Sequence, residues 1–244
     1  MSKPTAISLF SGAGGMDIGF SQAGFDVKLA VELDPSCCDT LRANLTKTKV
    51  LEADVSKLSG AELCDLAGLE IGNVDCLFGG PPCQSFSLAG DRKGLNDPRG
   101  ELVGHFIRLV REIGPKSFVM ENVKGMANWQ SGAVLEMIEN EIAAPVLLRG
   151  YEYQYKAQHK VLDAVNFGVP QHRERIFVVG NRLEKSMSFP EPTHNSPKRP
   201  HDNRLKPTCN VGKVLNSLPE ADQPSETALR VSGTIKERRV KHGY

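Results

Sequence analysis

The sequence predicts an α/β protein built on a mainly parallel β-sheet with helices on both faces. Short apolar runs of strand length alternate with segments of helical spacing, and the connections between them are short. The first strand stops at a glycine cluster, and acidic, glycine or proline residues follow the next three.

Residues 5–10 (TAISLF) read as a buried strand entering a turn. A helix follows through Ala23, and Gly24 ends it. Residues 27–31 (VKLAV) form a second strand, and Pro35 opens the next helix in its first turn. A third strand near 49–51 precedes Asp54. Residues 74–78 (VDCLF) are the fourth, ending at GGPPC. Helical spacing returns over 101–113, and a fifth strand runs from 117–120 into Glu121 and Asn122. A helix at 131–142 and two strand runs, near 153–162 and 175–180, complete this region. Beyond Leu183 the apolar periodicity fades, and seven of the 15 prolines fall in 184–244. That stretch reads as a loop-rich extension with one short helix near 211–217.

Composition narrows the function classes. The 244 residues are 40% hydrophobic and 24% charged, and no stretch approaches the ~20 apolar residues of a membrane span. No membrane partner is therefore expected. The start, MSKPTAISLF, lacks the pattern of a signal peptide. None of the six cysteines pairs as C-x-x-C, which argues against zinc, and their scatter suits a reducing cytoplasm. The net charge of +1 decides nothing, but residues 1–183 carry 19 Lys+Arg against 22 Asp+Glu, and residues 184–244 carry 11 against 7. A basic C-terminal region suits phosphates, although a solvated polar tail reads the same way on charge alone.

The ends of the first three strands suggest a nucleoside-type ligand. In open parallel sheets ligands bind outside the carboxyl ends of the strands. Phe10-Ser11-Gly12-Ala13-Gly14-Gly15 is a glycine turn at the first such end, but Asp17 stands where a dinucleotide fingerprint has its third glycine. A ligand without pyrophosphate fits better. Glu32, 20 residues after Gly12, suits ribose hydroxyls, and Asp54 suits an adenine amine. Each of these also reads as plain turn or cap chemistry.

The sharpest feature is Gly79-Gly80-Pro81-Pro82-Cys83-Gln84-Ser85-Phe86-Ser87. Two glycines and two prolines fix an unusual backbone path that holds a thiol at the ligand-binding edge. A cysteine acts as a nucleophile only as thiolate. Glu121 and Asn122 end the fifth strand at the same edge, where a helix cap is the plainer reading. Arg173 and Arg175 alternate along an apparent strand and would share one face.

FSGAGG at 10–15, GGPPCQSFS at 79–87, DPRG at 97–100, ENVKGM at 121–126 and QHRERIFVVG at 171–180 resemble, in order and spacing, the motifs of the cytosine carbon-5 DNA methyltransferases. The match covers about residues 5–183. The resemblance implies a Rossmann-like methyltransferase fold with a mostly parallel seven-stranded sheet and an antiparallel hairpin at one edge. It implies S-adenosyl-L-methionine as methyl donor, no metal, and double-stranded DNA as substrate, with the target base flipped into a pocket. Cys83 would attack cytosine carbon 6 and activate carbon 5. Glu121 would bind the ring nitrogen 3 edge as a proton-carrying acid. Arg173 and Arg175 would line the catalytic pocket. The cofactor would meet Phe10, Ser11, Gly12, Gly14 and Gly15, then Glu32 and Leu33, Asp54 and Val55, and finally Gly80 and Pro82. Residues 1–183 become the catalytic and cofactor-binding domain, and 184–244 the lead into an incomplete target-recognition region.

Family members of full length continue into a recognition region and two late motifs that are missing from this sequence. The expectation is the larger (alpha) subunit of a split bacterial restriction–modification methyltransferase, working in the cytoplasm at the nucleoid. A truncated form is the other explanation. Competing functions are a transfer-RNA cytosine methyltransferase and a non-catalytic cofactor-binding subunit. A nicotinamide dehydrogenase fits poorly, given Asp17.

Overall fold

The computed structural model describes residues 2–82, 101–128, 132–198 and 200–217. Its strands are β1 (Thr5–Leu9), β2 (Asp26–Glu32), β3 (Lys49–Glu52), β4 (Cys76–Gly79), β5 (Ser117–Val123), β6 (Val146–Leu148), β7 (Tyr151–Tyr153), β8 (Lys156–Asp163) and β9 (Glu174–Asn181). Its helices are α1 (Gly15–Gln22), α2 (Pro35–Asn44), α3 (Gly60–Ala67), α4 (Glu101–Ile113), α5 (Gly125–Asn128), α6 (Ala133–Ala143) and α7 (Val211–Asn216).

Seven strands form one sheet in the order β3-β2-β1-β4-β5-β9-β8, and β6 pairs with β7 separately. The first five strands of the large sheet are parallel, and β9 runs antiparallel to both β5 and β8. The sheet with its antiparallel edge pair is the one the sequence predicts. Strand order reverses between β1 and β4, the switch point where such sheets leave a crevice for a ligand.

Parallel strands are covered on both faces, so they read as near-continuous apolar runs. On β1, Ile7 and Leu9 enter the larger core cluster while Ala6 joins a smaller one on the other face. Helix α4 closes the larger cluster through Val103, Phe106, Ile107, Val110 and Ile113, all buried at helical spacing. On the opposite face Phe20 of α1 stacks on Phe78 of β4 at 3.8 Å between ring centroids. Each large ring buried this way removes enough apolar surface to be worth roughly 1.5–3 kcal/mol.

Two parts of the sequence reading differ from the structure. The run near 153–162 is not one strand: Tyr155 turns inward, and its hydroxyl donates to the Pro115 carbonyl at 2.6 Å, separating β7 from β8. Arg173 lies one residue before β9, so the alternation argument applies to Arg175 alone. The chain divides into two compact units, one of Met1–Ala164 with Arg173–Glu191, the other of Val165–His172 with the chain from Pro192 onward. In the second unit the buried Asn195 is a hub: its side-chain amide donates to the Asp202 carbonyl at 3.0 Å, and its Oδ1 accepts from the Asp202 amide at 2.9 Å.

Candidate active site

The carboxyl ends of β1, β2, β3 and β4 enclose a cavity of about 540 Å³. Phe10, Glu32, Leu33, Asp54, Val55, Gly80 and Pro82, all named by the sequence reading for the cofactor, are among the residues that line it. Val31, Asp34, Pro35, Ala53 and Leu102 also line it. Phe10 has φ of 53°, the left-handed region that a bulky side chain rarely occupies. Such strain is held where the surroundings over-determine it, and here it presents the ring to the cavity.

Ser11, Gly12, Gly14 and Gly15 are not among the lining residues; they form the turn from β1 into α1. Gly14, at φ 88°, is the N-cap of α1, and a Cβ there would come within 2.8 Å of Leu41 Cδ2. The Ser11 hydroxyl lies 2.8 Å from that of Ser8. The Gly12 amide donates to Glu32 Oε2 at 2.7 Å, and Glu32 Oε1 accepts from the Leu33 and Asp34 amides at 2.8 and 2.9 Å. One carboxylate thus ties the glycine turn to the end of β2. Asp54 accepts from the Ser56 hydroxyl at 2.7 Å and the Ser56 amide at 2.9 Å, capping a 3-10 turn while lining the cavity. The Ser56 hydroxyl first, and its amide second, hold the Asp54 carboxyl below the usual range. The cap and ligand readings of Asp54 are therefore compatible. Apolar walls from Phe10, Leu33, Pro35 and Leu102, with a carboxyl group at each of two strand ends, fit a nucleoside-bearing group that has no pyrophosphate.

Gly80 joins this cavity to a second cluster. A Cβ on Gly80 would lie 3.2 Å from Glu121 Oε2, so only a glycine leaves that carboxylate ordinary room beside the chain. Arg175 Nε donates to Glu121 Oε1 at 2.9 Å, the two side chains being 24% and 23% exposed. The pair is enforced by register, since Glu121 stands opposite Phe177 and Val123 opposite Arg175. Arg175 Nη1 also donates to the Glu174 carbonyl at 2.9 Å. Beside Glu121, the buried Asn122 donates through Nδ2 to the Pro81 carbonyl at 3.1 Å, fixing the chain two residues before Cys83. Cys83 itself, with DPRG at 97–100, lies outside the described residues. Arg173 is exposed, and its backbone amide donates to Asp163 Oδ1 at 2.9 Å.

Cys38, Cys64 and Cys76 are buried, and Cys37 and Cys209 are partly exposed. Burial pushes Cys64 up to about 11 and Cys76 up to about 12. Among the described residues no cluster of three or more His, Cys, Asp or Glu could hold a metal, and no helix is long and apolar enough to cross a membrane.

The model of the C-5 cytosine-specific DNA methylases matches residues 5–242. The chain belongs to that family. It is thus a DNA (cytosine-5-)-methyltransferase chain, of a family whose methyl donor is S-adenosylmethionine. It is 53% identical over 243 residues to the Type II methyltransferase M.AquIA of Picosynechococcus sp., covering 98% of each. It is 43% identical to M1.HphI of Haemophilus parahaemolyticus over 78% of this chain and 49% of that one. Apart from the cyanobacterial relative, it spans about half the length of curated relatives such as these, 48% of M.XorII from Xanthomonas oryzae being another case. A solved E. coli prophage structure, described as of the DNA modification methyltransferase type, superposes with a TM-score of 0.71 at 29% identity. It covers 89% of this chain and 56% of that one.

Among the residues to which the sequence reading gives no site role, Leu102 and Asn122 matter most. Leu102 reaches the cavity from α4, and only the fold reveals that. Asn122 sits in the ENV motif, but its contact with Pro81 spans 41 residues.

Proposed function

We propose that this chain transfers the methyl group of S-adenosyl-L-methionine to carbon 5 of a cytosine rotated out of double-stranded DNA, through a transient adduct on Cys83. The observation that carries this reading is the junction at Gly80, where a nucleoside-sized cavity meets the Glu121–Arg175 pair. In that cavity Asp54 accepts from the adenine amine, Glu32 from the ribose hydroxyls, and Phe10 packs on the purine. When bound, the donor supplies an electrophilic sulfonium methyl group.

The chain's residues then act on the base. Cytosine carbon 5 is a poor nucleophile. A bond from Cys83 Sγ to carbon 6 displaces the ring's π electrons toward carbon 5 and makes it enamine-like. Glu121 meets the nitrogen 3 and amine edge, stabilising charge there as the sulfur adds and rejecting thymine. Arg175 orients that carboxyl and, with Arg173, contributes positive potential that favours the thiolate. Once carbon 5 carries the methyl group, its proton leaves to a base, the carbon 5–carbon 6 double bond returns, and the thiolate departs.

We infer further that a second subunit supplies the target-recognition surface and completes the cofactor pocket. Reading a DNA sequence needs side chains that reach base edges in the major groove, and residues 184–244 offer few of them. Relatives such as M1.HphI are about twice this span, which motivates that inference. The relatives' Type II names support a restriction–modification role, in the cytoplasm at the nucleoid.

The test is transfer of a labelled methyl group from S-adenosylmethionine, by this chain together with its second subunit, to unmethylated DNA and, in parallel, to transfer RNA, with Cys83→Ser as control. Incorporation into DNA that the control loses is the expected result. Labelling of RNA alone, or labelling that survives in Cys83→Ser, overturns the proposal.

A further inference from the structure

The nucleoside side of the cavity is built on a short connector, Ala53 to Val55, with little secondary structure of its own. What holds it lies on α4. Arg108 Nη2 donates to the Val55 carbonyl at 3.3 Å, across 53 residues of sequence. Its Nη1 pairs with Glu112 Oε1 at 2.8 Å, one helical turn on, and its Nε donates to His105 Nδ1 at 3.3 Å. The other oxygen of Glu112 accepts from the Gly60 amide at 2.6 Å, at the first residue of α3. A Cβ on Gly60 would come within 2.6 Å of Glu112 Cβ, so the two helices meet there with no slack. Both ends of the segment from Val55 to Gly60 are thus fastened to one salt-bridged pair, on the helix whose Leu102 also lines the cavity.

We propose that Arg108, supported by Glu112, is a positioning residue for the nucleoside half of the donor site. The inference rests on the cavity being the S-adenosylmethionine site. Arg108 touches neither donor nor base; it sets where Asp54 and Val55 stand relative to Leu102. Its three contacts diverge from one planar guanidinium, a fork that a lysine ammonium reproduces only in part. Losing it loosens the wall that grips the adenine while leaving Glu121, Asn122 and Arg175 on their own strands.

The experiment compares wild type, Arg108→Met and Arg108→Lys in the complete enzyme, this chain together with any second chain that activity requires. Binding of S-adenosylhomocysteine is measured by calorimetry without DNA, and steady-state kinetics are run against both substrates. The expected result for Arg108→Met is a loss of about tenfold in affinity and a matching rise in KM for the donor, the size of one lost charge-assisted hydrogen bond. Values of kcat and KM for DNA should stay within about twofold, and Arg108→Lys should fall between. Should Arg108→Met fail to fold, the Arg108→Lys shift in donor KM alone decides the matter. Unchanged donor affinity in the variants, or a joint fall in kcat and in affinity for both substrates, overturns the role. Wild type that does not bind S-adenosylhomocysteine overturns the reading of the cavity itself, a separate failure.

Discussion

At the scale of single residues the chemistry is divided among groups whose surroundings differ sharply. Six cysteines are present, and the two that burial pushes to about 11 and about 12 are neutral thiols at working pH. Alkylation of the native enzyme at neutral pH should therefore label Cys83 and spare Cys64 and Cys76, as peptide mass mapping would read. Preferential labelling of Cys76 would contradict its burial. Cys83→Ser should abolish turnover, and Glu121→Gln should slow kcat by roughly 10²–10⁴-fold, the usual worth of a positioned acid–base group. Wild-type rates in Glu121→Gln would remove it from the mechanism.

Asp54 gives a pH expectation with a definite sign. The Ser56 hydroxyl and amide depress its folded pKa. The stability it contributes is thus present above the ordinary carboxylate value near ~3.9 and is lost only as pH falls through the lowered folded value. Its acceptor for the adenine amine should persist from neutral pH down to about pH 5. Calorimetric titration of S-adenosylhomocysteine over that range should show no loss traceable to Asp54. The same titration on Ser56→Ala should begin to weaken at higher pH than on the wild type.

At the scale of elements the site depends on close approaches between strands. Gly79 ends β4 against Leu9 of β1, and a Cβ there would collide with the Leu9 carbonyl oxygen. Gly79→Ala must push apart the two strands that border the cavity, at a cost of about 1–3 kcal/mol. Urea unfolding should show that loss together with weaker donor binding; a neutral effect would mean the strands separate more easily than their pairing suggests. Helix α3 starts at a capping box, in which the Ser59 hydroxyl serves the Glu62 amide and Glu62 Oε2 accepts from the Ser59 amide at 2.8 Å. Ser59→Ala should cost about 1 kcal/mol of stability without changing kcat, since α3 meets the cavity only through its connector.

At the scale of the whole molecule, the proposed division of labour puts chemistry and sequence readout on different chains. The sheet unit carries the cavity and the Glu121–Arg175 pair, whereas the unit that includes the chain from Pro192 on holds a loop organised by Asn195 and the short helix α7. That helix leaves Val211 and Leu215 50% and 59% exposed. On the proposed division of labour, this chain alone should methylate no defined DNA sequence, and adding the second chain should restore site-specific methylation. Bisulfite sequencing of treated plasmid reads the outcome, and site-specific methylation by the isolated chain would refute the division.

The sequence by itself determined the order of elements and the residue types of the chemistry. Apolar period, proline and glycine placement and motif spacing act over a few residues, so β1 to β5, α4 and the ends bearing Glu32, Asp54 and Glu121 were all legible. The start of α3 was legible too, as Ser59-x-x-Glu62, although the reading passed over it. The β6–β7 hairpin was not: its strands have three residues each, too few to show a period. Tertiary structure alone decided the partners. The sheet order places β9 beside β5, which brings Arg175 to Glu121. It also sets Asn122 on Pro81 and Arg108 on Val55, contacts that span 41 and 53 residues. The physical reason is that strand order and register are fixed by burying two sheet faces at once, a condition on the whole chain that no local window contains.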